Sequence, residues 1–241
     1  MATFILVHGA WQGGWCWTEV VQRLRAGGHK ALAPDLPAHG DDPTPVNLVT
    51  LRDYVDSLVR VIESIPEPAI LVGHSMGGLV MQAAEEVPDR VRAVVYVSAI
   101  LPANGVAMLQ VVDGFDPEYL AQLEWASDGR SAEIRAEGAR TFLYPLCPQR
   151  LVKDALERFT PEPAAPFEVP LHTTADRLGR VRAYYVECLR DRAVPVGLQR
   201  SMQRDAGISR VFSLNCDHSP FFSAPDDLVA CFESVAEETA R

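Results

Sequence analysis

Long apolar stretches are absent from this 241-residue sequence, and none approaches the ~20 residues that a helix needs to cross a bilayer. No basic leader with a small-residue cleavage site precedes the first apolar run, Phe4–Val7, as a secretory signal would require. We therefore expect a water-soluble protein of the cytoplasm that does not bind membranes.

Positive charge is also scarce. Lys and Arg total 22 against 32 Asp and Glu, which gives a formal net charge of −10. A net negative charge repels the phosphates of nucleic acids and anionic lipids, so a nucleic acid is not expected as a partner. The five cysteines show no metal-ligand spacing, and their odd number is unlike the disulfide framework of a secreted protein. A reducing compartment and no bound metal are expected.

Short β-rich apolar runs alternate along most of the chain with segments of helical length. This alternation predicts an α/β protein with a doubly wound, mainly parallel sheet. The nearly continuous apolar character of Ala93–Ile100 predicts a central strand that is covered on both faces. The predicted strands are Phe4–Val7, Ala31–Pro34, Ile70–Val72, Val91–Val97, Val181–Val186 and Val211–Leu214, and the predicted helices are Trp15–Ala26, Thr50–Ile65, Met76–Val87, Val196–Asp205 and Pro225–Glu238.

The alternation stops between residues 101 and 179, an interval that contains eight prolines and several short helical patterns. We interpret it as a cap inserted into one core domain, which is made of residues 1–100 and 180–241. Apolar cap residues are suited to line a substrate pocket over the sheet, although each of them has packing of the cap as its alternative role. The predicted substrate-binding residues of the cap are Leu123, Trp125, Phe142, Leu146 and Phe159.

The strongest motif is Gly73-His74-Ser75-Met76-Gly77, between a predicted strand and a predicted helix. This spacing in this context is the nucleophile elbow, in which a strained turn exposes the serine hydroxyl above the sheet. The first amides of the following helix favour negative charge. We predict Ser75 as the nucleophile and the Met76 N–H as an oxyanion donor. His74 is expected to face away from the serine Oγ and to shape the turn or the substrate pocket.

A glycine-rich segment, His8–Trp17, follows the first predicted strand. Such a segment is typical of the loop that supplies the second oxyanion N–H, and we predict that Ala10 provides it. Gly9 and Trp11 on either side are predicted to contact the substrate. An ordinary strand-to-helix turn, with its tryptophans packed in the core, is the alternative reading of this segment.

The general base is predicted to be His218, which follows the last predicted strand. In enzymes with this elbow the serine, the acid and the histidine follow one another in that order along the chain. Asp191 lies just past the preceding strand, where a carboxylate can accept the histidine Nδ1–H. Glu187 is the alternative acid but falls within the strand, and Asp217 is expected to brace its own loop.

Together these segments resemble the plant methylesterase and hydroxynitrile lyase branch of the α/β-hydrolases, along with related small bacterial esterases. The likeness runs nearly end to end through FILVHGAWQGGWCW, GHKALAPDLPAHG, ILVGHSMGG, FLYPLCPQ, DRAVP and CDH. It implies an α/β-hydrolase fold with about six core strands under an inserted helical cap. By this resemblance Ser75, Asp191 and His218 match the catalytic triad, and Ala10 and Met76 match the oxyanion donors.

The resemblance implies a serine esterase that acts without a cofactor on a small, largely apolar ester, through an acyl-enzyme. Gly9 stands where the lyases carry a threonine, and Ser219 stands where they carry a lysine, so the esterases fit better than the lyases. Thioester hydrolysis, lactone hydrolysis, a lyase reaction on the same site and a non-catalytic ligand-binding protein are the alternatives. The expected partner is the small-molecule ester, and a homodimer is one assembly that the sequence allows.

Overall fold

The computed structural model describes residues 1–240, without the side chains of residues 80, 81, 112 and 113. Over this range the chain has two β-sheets. Their strands are β1 (Thr3–Val7), β2 (Lys30–Leu32), β3 (Ala69–His74), β4 (Val91–Val97), β5 (Leu123–Trp125), β6 (Ser131–Ile134), β7 (Glu162–Pro163), β8 (Arg182–Cys188) and β9 (Arg210–Leu214).

The larger sheet is parallel and has the strand order β2-β1-β3-β4-β8-β9. All six predicted strands are present in it, and the predicted doubly wound α/β fold is confirmed. The chain runs outward from β1 to β2 and then returns to β3 on the other side of β1. The strand order therefore reverses between β1 and β3, and ligands of open parallel sheets bind at the carboxyl ends of strands at such a point.

Helices cover both faces of the parallel sheet. The α-helices of the described residues are α1 (Thr18–Ala26), α2 (Leu51–Ser64), α3 (Gln82–Glu86), α4 (Pro117–Leu120), α5 (Ala136–Gly138), α6 (Gln149–Leu156), α7 (Ala165–Glu168), α8 (Val196–Asp205), α9 (Pro220–Ser223) and α10 (Pro225–Glu238). One buried cluster joins α1 and α10 to the sheet, and a second joins α2 and α3 to its opposite face. None of the helices in this part of the chain combines the length and the apolar character that a membrane span requires.

The predicted helix boundaries agree closely with the structure at α2, α8 and α10. Two predicted helices begin instead with a 3-10 helix, at Gly14–Trp17 before α1 and at Ser75–Met81 before α3. The predicted capping pair at the start of α2 is present. The Thr50 hydroxyl accepts the Asp53 N–H, and the Asp53 carboxylate accepts the Thr50 N–H at 2.8 Å.

The segment between β4 and β8 forms the cap, which contains the short helices α4 to α7. It also contains a second sheet, antiparallel and ordered β5-β6-β7, which the sequence pattern did not indicate. Its strands have two to four residues, too few for an alternating pattern to be recognised. The cap has its own buried apolar cluster, here called the cap cluster, composed of Trp11, Tyr119, Ile134, Ala139, Phe142, Leu143, Tyr144, Val152, Ala155 and Ala193.

Candidate active site

Ser75 directly follows β3 in a strained turn. Its φ is +52°, a left-handed conformation that is uncommon for residues other than glycine. The turn also packs closely against the end of β1, since a Cβ on Gly77 would lie 2.8 Å from the His8 carbonyl oxygen and 2.9 Å from that of Val7. Only glycine fits at position 77, and the elbow predicted from the sequence is present.

His218, in the loop after β9, joins the serine to a carboxylate. Its Nε2 lies 3.0 Å from the Ser75 Oγ, and its Nδ1 lies 2.7 Å from Oδ2 of Asp191. Because a carboxylate accepts and an ionised one cannot donate, Nδ1 carries the proton and the Nε2 lone pair faces the serine hydroxyl. All three side chains belong to buried residues. The structure thus brings the three predicted residues into one hydrogen-bonded chain.

Asp191 is held by main-chain groups of its own loop. Its Oδ1 accepts the N–H groups of Ala193 and Val194, both at 2.8 Å. A buried carboxylate needs hydrogen-bond partners for its oxygens. The loop that follows β8 therefore fixes the direction of the acid that faces His218.

Two further side chains at Asp191 were not predicted from the sequence. The Ser98 hydroxyl donates to the Asp191 Oδ2, and the Gln199 Nε2 lies 3.4 Å from the same oxygen. Ser98 directly follows β4 and has a φ of +42°. A polar residue at the end of an otherwise apolar central strand was the available signal for Ser98. Gln199 lies in α8 and had no such signal, because glutamine is common on exposed helix surfaces.

Glu187, the alternative acid, is directed elsewhere. It lies within β8 and accepts two hydrogen bonds from the Arg200 guanidinium, at 2.8 and 3.0 Å, which hold the pKa of its carboxyl below its usual value. Asp217 instead accepts the Leu146 N–H at 2.8 Å and the Ser219 N–H at 3.1 Å, and so braces the loop next to the histidine. Among Glu187, Asp217 and Asp191, it is Asp191 that is hydrogen-bonded to the His218 ring.

His74 supports the loop that carries the base. Its Nε2 lies 2.8 Å from the main-chain carbonyl oxygen of His218, which can only accept, so Nε2 is protonated and Nδ1 is not. Burial, and then the neighbouring His218, lower the pKa of His74 well below its usual value. The neutral ring is bonded to the main chain of His218, and its predicted orientation away from the serine hydroxyl and its contact with a substrate stay predictions.

The two predicted oxyanion donors, Ala10 and Met76, belong to segments that adjoin the nucleophile. Met76 is the next residue after Ser75, at the start of the 3-10 helix. Gly9 approaches so closely that a Cβ there would lie 3.0 Å from the Ser75 Cβ and 2.8 Å from the His74 Nδ1. Ala10 is the next residue after Gly9 in this loop, and the oxyanion roles of the Ala10 and Met76 N–H groups stay predictions.

Trp11 connects the loop after β1 to the cap. Its φ is +62°, and its indole N–H donates to the Ala132 carbonyl at 2.9 Å. Its main-chain N–H donates to the Glu162 carboxylate at 3.1 Å, and its carbonyl accepts the Thr160 N–H at 3.0 Å. Trp11 is buried in the cap cluster, so the structure gives it an anchoring role, and its predicted substrate contact stays a prediction.

The cap residues predicted to bind substrate differ in their exposure. Phe142 is buried inside the cap cluster, and Phe159 and Leu123 are partly buried against it. Leu146 is 37% exposed, and Trp125 on β5 is 53% exposed. Packing of the cap accounts for the first three positions, and substrate contact at all five stays a prediction.

Comparison with known proteins identifies relatives along the whole chain. A sequence model described as the alpha/beta hydrolase family matches residues 4–230. The chain is 33% identical over 253 residues to Methylesterase 7 of Arabidopsis thaliana, covering 98% of this chain and 97% of that protein. It is 29% identical to Norfluorocurarine synthase 2 of a Strychnos species, covering 98% and 95%. A solved pyrethroid hydrolase from Sphingobium faniae JZ-2 is similar with a TM-score of 0.89 at 29% identity, covering 98% and 97%.

We expect Ser98→Ala to slow the reaction of Ser75 with a fluorophosphonate by about tenfold or more, because a hydrogen bond to a charged group contributes roughly 1.5–3 kcal/mol. The measurement is the second-order labelling rate constant. Ser213→Ala is the matched control, since its hydroxyl donates to Glu187 instead of Asp191. Equal labelling rates in the two variants would contradict a role for Ser98 in holding the acid.

We expect Gly9→Ala to slow the same labelling by on the order of 10²-fold, because the added methyl group displaces Ser75 or His74 and small misplacements of reacting groups have effects of this size. Gly197→Ala is the control, since a Cβ there meets no atom within 4 Å. Thermal unfolding of both variants separates misplacement from loss of the fold. A Gly9→Ala protein that is labelled at the wild-type rate would show that the close approach is unimportant.

Proposed function

We propose, on the premise that this chain belongs to the alpha/beta hydrolase family and to its methylesterase-like branch, that it is a carboxylic-ester hydrolase with Ser75 as its nucleophile. The observation that carries the proposal is the hydrogen-bonded chain from the Ser75 Oγ through His218 to Asp191. Fold alone does not imply activity, and this constellation supplies what acyl transfer needs.

In the first half of the reaction, the Ser75 Oγ attacks the ester carbonyl while the His218 Nε2 takes its proton. Asp191 accepts the Nδ1–H and stabilises the imidazolium that forms. The carbonyl oxygen becomes negative and is stabilised by the N–H groups of Ala10 and Met76. A preorganised donor of this kind typically contributes about 10²–10³ in turnover.

In the second half, the imidazolium of His218 donates its proton to the leaving alcohol, and the acyl group remains on Ser75. His218 then removes a proton from a water molecule, which attacks the acyl carbonyl. The bond between the acyl carbon and the Ser75 Oγ breaks, His218 returns the proton to this oxygen, and the acid is released. Side chains, main-chain amides and water are sufficient for every step of this sequence.

The proposed substrate is a small, largely apolar ester. The cap cluster contains Ala193, two residues after the catalytic acid, and Ala10 packs against it. Apolar side chains of the cap therefore pack next to the site, and an apolar acyl group that is buried against them would gain free energy. The relatives named methylesterases support a small alcohol such as methanol as the leaving group.

The contact at Gly9 favours hydrolysis over the lyase reaction. The threonine of the lyases at this position would need a Cβ, which in this chain would lie 2.8 Å from the His74 Nδ1. The residue after the base is Ser219, which is fully buried and carries no cation.

The cytoplasmic location and the homodimer stay predictions.

The substrate class is tested with the methyl, ethyl and butyl esters of one apolar acid, alongside its thioester, a lactone and a cyanohydrin. We expect the highest kcat/KM with the methyl ester, and we expect Ser75→Ala to lower kcat by about 10⁶-fold with its far-UV circular dichroism unchanged. Preference for another substrate class would contradict the ester assignment. A wild-type protein that a fluorophosphonate does not label would instead support the ligand-binding alternative.

The choice of acid is tested by two amide substitutions. We expect Asp191→Asn to lower kcat by about 10⁴-fold, because an amide facing Nδ1 favours the wrong histidine tautomer. Glu187→Gln is the matched control and should keep most of the activity, since Glu187 pairs with Arg200. Steady-state kinetics with the best ester measures both, and a larger loss in Glu187→Gln would overturn the assignment.

A further inference from the structure

A second buried carboxylate, Glu162, lies in the cap strand β7 and is only 3% exposed. Its Oε2 accepts the main-chain N–H of Trp11 at 3.1 Å and lies 2.8 Å from the His39 Nε2. Its Oε1 accepts the Tyr54 hydroxyl at 3.1 Å. These partners come from the loop after β1, the loop after β2 and helix α2. Burial of a carboxylate is unfavourable unless it is paired and hydrogen-bonded, and this one has partners on both oxygens.

His39 faces acceptors with both ring nitrogens. Its Nδ1 lies 3.1 Å from the Pro37 carbonyl oxygen, and its Nε2 faces the Glu162 carboxylate. A histidine donates from both nitrogens only as the imidazolium. Burial lowers the pKa of His39, but the Glu162 carboxylate outweighs this and raises the pKa above its usual value. His39 and Glu162 therefore form a buried ion pair between the core and the cap.

Other titratable groups around His39 are consistent with this charge state. Asp35 and Asp42, in the loop after β2, act on His39 as negative charges. The ring of His8 has its centroid 4.9 Å from that of His39, and burial, followed by the His39 charge, lowers the pKa of His8 to about 3. The Tyr54 hydroxyl lies 3.5 Å from the His39 Nδ1. One imidazolium is thus surrounded by carboxylates, a neutral histidine and a phenol.

The ion pair acts directly on the oxyanion loop. The N–H that Glu162 accepts belongs to the peptide group that follows Ala10, and Thr160, two residues before Glu162, donates to the Trp11 carbonyl. Both peptide groups of Trp11 are therefore held by the cap. The left-handed φ of Trp11 persists only where surrounding contacts determine it, and these are such contacts.

We propose that Glu162, paired with His39, is a positioning residue for the oxyanion hole, which holds the loop at Trp11 so that the Ala10 N–H faces the developing oxyanion. The cap is thereby required for fast chemistry as well as for substrate binding. This inference rests on the proposed function, since it concerns the same oxyanion donor. Its effect falls on kcat more than on KM, because the oxyanion contact is stronger in the transition state than in the ground state.

The test compares Glu162→Gln with Glu85→Gln. The first keeps the shape of the side chain but removes its charge. The second changes another buried carboxylate that holds the cap, through the Thr174 and Leu178 N–H groups at 3.0 and 2.9 Å, without contacting the oxyanion loop. We expect Glu162→Gln to lower kcat about tenfold or more with KM changed less than about twofold. Glu85→Gln should lower the melting temperature and keep kcat.

The pH dependence is the second readout. A pKa raised in the folded protein means that the ion pair stabilises the fold fully below the usual histidine pKa of 6.5, and that this stabilisation is lost as the pH rises through the raised value. We expect wild-type kcat and melting temperature to fall together on the alkaline side of a titration from about pH 6 to about pH 10. Glu162→Gln should lack this coupled alkaline loss.

Ester hydrolysis by the wild-type protein separates the two proposals. A wild-type protein without esterase activity would refute the proposed function. The positioning role would be overturned if the wild-type protein is active and Glu162→Gln keeps its kcat. It would also be overturned if Glu162→Gln loses kcat only to the extent that Glu85→Gln does.

If Glu162→Gln does not fold, Tyr54→Phe replaces it, since this substitution removes one hydrogen bond to Glu162 and leaves the charge of the carboxylate. We then expect kcat to fall about threefold at unchanged KM, and an unchanged kcat would equally overturn the inference.

Discussion

The close approach of the loop after β1 to the turn after β3 is the constraint on which the rest of the site depends. Gly9 meets Ser75 and His74, and Gly77 meets the carbonyl groups that end β1, at distances that leave no room for a Cβ. Because β1 and β3 are neighbouring parallel strands, their carboxyl ends bring Ser75 and the segments of both proposed oxyanion donors to one edge of the sheet. Every other catalytic group is arranged around this contact.

Two buried carboxylates, Asp191 and Glu162, hold different parts of the site through hydrogen bonds. Asp191 accepts hydrogen bonds from its own loop and from Ser98, and it faces the base. Glu162 pairs with His39 and accepts the N–H next to the oxyanion donor. Both charges are satisfied by several donors, which makes their geometry rigid. The first belongs to the core and the second to the cap, so the proposed catalytic geometry depends on both parts of the chain.

The cap is anchored to the core at Trp11, in the loop after β1. Trp11 places a large buried side chain in the cap cluster while its main chain continues the oxyanion loop. Under the proposed function, Trp11 therefore links the apolar packing of the cap to the loop that stabilises the oxyanion.

The sequence by itself determined the six core strands, the main helices, the elbow at Ser75 and the order of the triad residues. These features depend on local periodicity, on glycine spacing and on the position of a residue at a strand end. Tertiary structure alone decided the contacts of Ser98 with Asp191 and of His39 with Glu162, which join residues 93 and 123 positions apart. It also decided the small cap sheet, whose strands are too short to show a pattern. Such features arise from packing between distant segments, and neither residue type nor spacing along the chain encodes them.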